Sequence, residues 1–161
     1  MRPARLLPAA LLGLWPLAAP ADELALVIGT GTYDRLPDLP RGEEMAEAVD
    51  GIAALGFEVR ALSDPSAAEV AAALAAFLDE AGDADRLLVA LSGRFATDGT
   101  RSWYLTREAA APTLFTVDAR AVSVESLLQV LARAPSRAVL LLGADPEAAQ
   151  AFDPWLSEGL G

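Results

Sequence analysis

The chain has 161 residues and a formal net charge of −11, with 12 basic residues, all arginine, against 23 acids, and it contains neither cysteine nor histidine. That length suits one domain able to bury a core of its own, and the two absences remove disulfides, thiolate metal sites, the thiol nucleophile and the imidazole base, so Ser-His-Asp and Cys-His catalysis within this chain is excluded. The acidic balance opposes binding to a phosphate backbone, so nucleic acid is not an expected partner, and no cofactor is expected.

The first segment is set aside from the fold. Arg2 and Arg5 make a basic start, Leu6 to Leu17 is a short apolar core, and Ala19-Pro20-Ala21 offers small residues at a cleavage site. This is a secretory signal pattern, too short for a membrane span and punctuated by Pro3, Pro8, Pro16 and Pro20. Residues 1–21 therefore read as a signal peptide and residues 22–161 as one domain, exported to the periplasm or secreted, with no stable membrane anchor once the signal is removed. Loss of Arg2 and Arg5 leaves 10 arginines against 23 acids, a mature charge of −13.

Glu23 to Gly29 is a nearly continuous apolar run and reads as the first strand, ending in Gly29-Thr30-Gly31. The two glycines resemble the start of a phosphate fingerprint, but Tyr33 to Pro40 is a proline-punctuated loop where such a fingerprint needs a helix. Met45, Val49, Ile52 and Leu55 recur at helical spacing after Glu43-Glu44, and Gly56 stops that helix. Phe57 to Leu62 alternates as a second strand and breaks at Asp64-Pro65. Ser66 and Glu69 have capping-box spacing, and the helix they open carries Val70, Leu74, Phe77 and Leu78 on one face before Gly82.

Leu87-Leu88-Val89-Ala90-Leu91 has no polar alternation and reads as a buried central strand, stopping at Ser92-Gly93-Arg94-Phe95. In an open α/β sheet, chemistry lies just past the carboxyl ends of such strands, so this tip is the first place to look for a site. Asp98-Gly99 signals a turn, Trp103 and Tyr104 favour a short strand whose rings serve as core, and Leu114 to Val117 reads as another short strand. Ser123 caps a helix with the stripe Val124, Leu127, Leu128 and Leu131, ended by Pro135. Ala138 to Gly143 is a last apolar strand suited to a doubly covered sheet, Asp145-Pro146-Glu147 reads as a helix start, and the chain from Trp155 onward trails off without a further strand.

Strands alternating with helices in this order define an α/β three-layer sandwich with a doubly wound, mostly parallel sheet. Ala25-Leu26-Val27-Ile28-Gly29 with Tyr33 and Leu36-Pro37, then Ala54-Leu55-Gly56-Phe57-Glu58-Val59, Leu91-Ser92-Gly93, Asp98-Gly99 with Tyr104-Leu105, and Val139-Leu140-Leu141-Leu142 resemble the bacterial caspase-like and metacaspase family. The resemblance runs from Leu24 to about Asp145 and implies the topology of the caspase large subunit, without a clear small subunit. It also implies a catalytic histidine in a Ser-Gly-His-Gly turn and a nucleophilic cysteine in an Asp-Ala-Cys turn. Here those turns read Ser92-Gly93-Arg94-Phe95 and Gly143-Ala144-Asp145, so Arg94 and Asp145 stand at the degenerate dyad positions; Glu43-Glu44 replaces the family's usual Asn-Asp pair.

An arginine stays protonated and cannot act as a general base. Together with the signal pattern, the resemblance points to an exported caspase-like pseudopeptidase, a binding or regulatory module acting on a protein or peptide through a crest of Gly31, Tyr33, Ser92, Arg94 and Asp145. The alternative is a caspase-family cysteine-type endopeptidase relative that hydrolyses with residues from a partner chain or with Asp145 as nucleophile; a third is a decayed domain without a selected role. Two arrangements of the old dyad positions stay open: Arg94 and Asp145 pair across adjacent strand ends, or Asp145 caps the last helix while Arg94 reaches water.

Overall fold

A computed structural model describes residues 23–39, 42–82, 84–134, 137–145 and 151–161, without the side chains of residues 42–44 and 46. The signal segment, Pro135, the helix start at Pro146-Glu147 and the side chains of Glu43 and Glu44 lie outside the described residues.

The apolar runs become parallel strands because their backbones can be satisfied only by one another once both faces are covered. β1 (Glu23–Gly29), β2 (Glu58–Ser63), β3 (Arg86–Gly93) and β7 (Ala138–Ala144) form one sheet in the order β2-β1-β3-β7, every pair parallel. Alternate residues sort to opposite faces. Leu24, Leu26 and Ile28 of β1 and Leu87, Val89 and Leu91 of β3 meet Val70 and Phe77 of α2 (Ala67–Glu80) and Val124, Leu127 and Leu131 of α3 (Val124–Leu131). Ala25, Val27 and Leu88 face the other way, onto Met45, Val49 and Ile52 of α1 (Gly42–Ala54). Helix, sheet and helices make the three expected layers.

Both caps form as the sequence requires. Ser66 Oγ accepts from the Glu69 amide at 3.3 Å while the Ser66 amide donates to the Glu69 carboxylate at 2.8 Å, the reciprocal box that opens α2. Ser123 Oγ accepts from the Ser126 amide at 3.1 Å and opens α3.

A second, antiparallel sheet extends the first past its carboxyl ends. β4 (Phe95–Thr97), β5 (Ser102–Leu105), β6 (Ala121–Ser123), β8 (Ala151–Asp153) and β9 (Leu156–Glu158) order as β6-β5-β4-β9-β8. The β4–β5 hairpin turns at Gly99, and the Asp98 carboxylate accepts from the Thr100 and Arg101 amides at 3.0 and 2.7 Å. Trp103 and Tyr104 are fully buried, as large rings on a core strand should be.

Three expectations are corrected. The chain after Trp155 does not trail off: β8 and β9 pair with each other and β9 joins β4, because Leu156-Ser157-Glu158 alternates buried and exposed at strand spacing. Leu114 to Val117 is not a strand but a turn running into a 3₁₀ segment at Val117–Ala119, in which Val117 supplies the buried residue. Among the described residues β7 is an edge strand, and Val139 and Leu141, on the face shared with Leu88, are about half exposed, so this apolar run is not doubly covered along its length. A continuous apolar run does not by itself distinguish a central from an edge strand.

Candidate functional site

The site forms where the chain leaves one sheet and enters the other. β3 ends at Gly93, β4 begins at Phe95, and Arg94 is the single residue between them. Gly93 adopts φ +155°, and a Cβ there would lie 2.9 Å from the Tyr33 hydroxyl, 3.1 Å from the Thr30 carbonyl oxygen and 3.1 Å from the Tyr104 ring. Only glycine lets these three groups close over the strand end.

They close as a hydrogen-bonded set. The Thr30 amide donates to Ser92 O at 2.9 Å, Thr30 Oγ1 and the Tyr104 hydroxyl share a bond of 2.8 Å, and the Tyr33 hydroxyl donates to Thr30 O at 3.1 Å. That same Tyr33 oxygen accepts from the Arg94 amide at 2.8 Å. Burial pushes both phenols well above their ordinary pKa, although the Arg94 amide opposes the shift at Tyr33 and the Thr30 hydroxyl opposes it at Tyr104. The two tyrosines therefore act as neutral hydrogen-bonding groups and not as bases.

Arg94 turns inward. The residue is 7% exposed; its Nε donates to the Pro37 carbonyl at 3.0 Å, and its guanidinium carbon lies 5.7 Å from the Tyr33 ring centroid. Its Nη1 forms an ion pair with Glu158 Oε1 on β9, whose side chain is only 3% exposed. Among the described residues, the other carboxylate oxygen, Oε2, is buried without a hydrogen-bond partner. A buried arginine remains charged, so the glutamate is what makes this position tolerable.

The carboxylate that Arg94 meets is thus Glu158 and not Asp145. The register of β3 against β7 sets Gly93 beside Ala144, so residues 94 and 145 follow neighbouring strand ends, but the guanidinium leaves toward Pro37 and Glu158. Neither arrangement considered from sequence holds for Arg94, which reaches neither Asp145 nor water. Phe95, where the family has a glycine, is buried edge-on against Tyr104 at 5.5 Å and 60°.

The remaining crest residues divide by exposure: Tyr33 and Arg94 are buried, whereas Gly31, Ser92 and Asp145 are partly exposed. Beside them a small cavity of about 120 Å³ opens over the ends of β1, β2 and β3, lined by Thr30, Gly31, Asp38, Asp64 and Ser92 among others. Asp64, at φ +49°, bends the chain after β2 so that its Oδ1 accepts from the Gly31 and Thr32 amides at 2.7 and 2.9 Å. Those amides are the groups a phosphate would need after the glycine pair, and an internal anion already holds them.

A family model for the caspase domain matches residues 22–144. The chain belongs to the caspase domain family. No curated protein sequence matches it significantly. In the caspase-domain frame, the turn after β3 carries Arg94 and the turn after β7 carries Asp145, with Arg94 drawn into the protein interior. Glu158 and Asp64, the two acids that organise this crest, escaped the sequence reading. The available signals were slight: an apolar residue and an acid two places apart at Leu156 and Glu158, and an aspartate before proline that reads first as a turn former.

Proposed function

We propose that this caspase domain works without peptidase chemistry, as an exported binding or regulatory module whose contact face is the crest over the strand ends. The observation that carries the reading is the state of Arg94. It occupies the turn where the resemblance puts the general base, it stays protonated, and its charge is committed to Glu158 and the Pro37 carbonyl. A group so placed neither accepts a proton nor activates a nucleophile. The partly exposed Ser92, Gly31 and Asp145 and the exposed Thr32 are what the crest presents to a protein or peptide.

The test is turnover. Incubated with peptide libraries containing acidic and basic cleavage sites, the purified chain yields no products; cleavage that disappears on Asp145→Ala would establish hydrolysis by that carboxylate and overturn the proposal. The binding half is tested by capture from a periplasmic extract with wild type and Thr32→Arg as baits, and captured proteins that ignore the change count against the crest as the contact face.

A further inference from the structure

We propose that the edge of β4 together with Arg94 is an acceptor for an extended, acid-bearing protein segment, filled in this structure by the chain's own β8–β9 ribbon. The inference rests on the domain being a binding module and names the chemistry of what it binds.

The acceptor is built without the ribbon. Arg94 is oriented by Pro37 O through Nε and by the Tyr33 hydroxyl through its backbone amide, and β4 is held on its other side by β5. The ribbon supplies a short, readable pattern to it. Leu156 and Glu158 are two residues apart on β9 and so share a face, while Ser157 between them is exposed. Leu156 is 2% exposed in a cluster with Tyr33, Leu36, Ala96 and Trp103, and Glu158 neutralises Arg94. Main-chain pairing completes the match: Ala96 faces Glu158, Thr97 faces Ser157, and the Gly159 amide donates to Phe95 O at 3.0 Å. This is strand addition, in which the backbone provides affinity and alternate side chains provide specificity, here apolar-any-acid.

The occupant is short, and its anchors are few: Leu156 and Glu158, with Phe152 packed against the same cluster as Leu156. β8 and β9 are three residues each, β8 pairs only with β9 among the described residues, and Trp155 at their turn is 70% exposed. Beyond β4, the ribbon is held through Asp153, which accepts from the Leu114 amide at 3.1 Å, and through the Gly161 amide on Ser102 Oγ at 3.0 Å. The fit is also incomplete, since Glu158 Oε2 is buried with no donor. A segment whose carboxylate satisfies both oxygens has a better match to the same arginine than the ribbon has.

The experiment uses the full chain carrying Leu156→Asp, which removes the apolar anchor of the ribbon and leaves Arg94 and β4 intact. A fluorescent peptide with the sequence of residues 151–161 is titrated by anisotropy. It binds the variant, binds wild type at least about a hundredfold more weakly because the site is filled, and loses about tenfold or more when its glutamate is replaced by alanine, as expected for a charge-assisted contact. A folded Leu156→Asp chain that ignores the peptide, or takes both peptides equally, overturns the proposal. Should that variant not fold, hydrogen exchange on wild type decides: the Gly159 amide exchanging about a hundredfold or more faster than the central amides of β1 and β3 supports a detachable ribbon, and equal protection overturns it. Mass analysis of the same mixtures keeps the two readings apart. Peptide bound but cut overturns the non-catalytic reading alone, and peptide intact but unbound overturns the acceptor alone.

Discussion

Replacing Glu158 by leucine and Arg94 by methionine, singly and together, isolates the charge pair at the seam of the two sheets. Glu158→Leu leaves a guanidinium whose side chain is 7% exposed without its counter-charge. Removing one member of a buried pair costs about 3–5 kcal/mol, which for a domain of this size lowers Tm by roughly 10 °C. The Pro37 carbonyl and the Tyr33 ring, at 5.7 Å, soften the loss without cancelling it, since neither carries a full charge. If the ribbon detaches first, the guanidinium regains water and the loss is limited to the cost of detachment, so exchange at the Gly159 amide is followed in parallel. Arg94→Met is expected to destabilise by a similar amount, because Glu158 then sits buried with both oxygens unmatched. The double variant removes both desolvation penalties and is expected within about 1 kcal/mol of wild type, or above it, as apolar replacements of buried pairs often are. Urea titrations of the four proteins give the coupling energy directly. A Glu158→Leu chain within about 0.5 kcal/mol of wild type and still protected at Gly159, or a double variant no more stable than the worse single one, would mean that the charges at this seam are not desolvated.

Gly93→Ala forces a methyl against the Tyr33 hydroxyl, the Thr30 carbonyl and the Tyr104 ring, and overpacking of that kind is expected to cost about 1–3 kcal/mol by denaturant melts. Tyr33→Phe strips the acceptor from the buried Arg94 amide and the donor from Thr30 O, for a loss of about 1–3 kcal/mol and faster exchange of the Arg94 amide. The Glu69 carboxyl is held below its ordinary pKa first by the Ser66 backbone amide and then by the Ser66 hydroxyl. A depressed folded-state value means that its contribution to the start of α2 is present above the unfolded pKa and fades as pH falls through the folded one. Carbon-detected NMR titration should therefore place the Glu69 midpoint below that of a free glutamate, and Ser66→Ala should return it toward that value; an unchanged midpoint would contradict the capping box.

Local chemistry made most of the frame legible. Gly29 and Gly93 close strands with continuous apolar runs, Ser66 and Ser123 open helices within the following turn, and Asp98-Gly99 turns a hairpin, each within a few residues of its cause. The order of those elements was enough to suggest a caspase-like α/β layer arrangement and to mark residues 94 and 145 as the turns to inspect. What failed was whatever depended on neighbours far along the chain. Val139 and Leu141 look as buried as Leu88 and Val89 in sequence, yet β7 has a paired strand on one side only among the described residues.

That this chain has no imidazole and no thiol, and that an arginine stands in the turn after β3, are matters of composition and of local pattern. What that arginine does depends on contacts between distant parts of the fold. Its partner lies 64 residues away on a strand three residues long, and no local rule connects them. The pairing exists because the second sheet brings β9 alongside β4, and because a guanidinium that the ribbon covers from water is stable there only where a carboxylate reaches it.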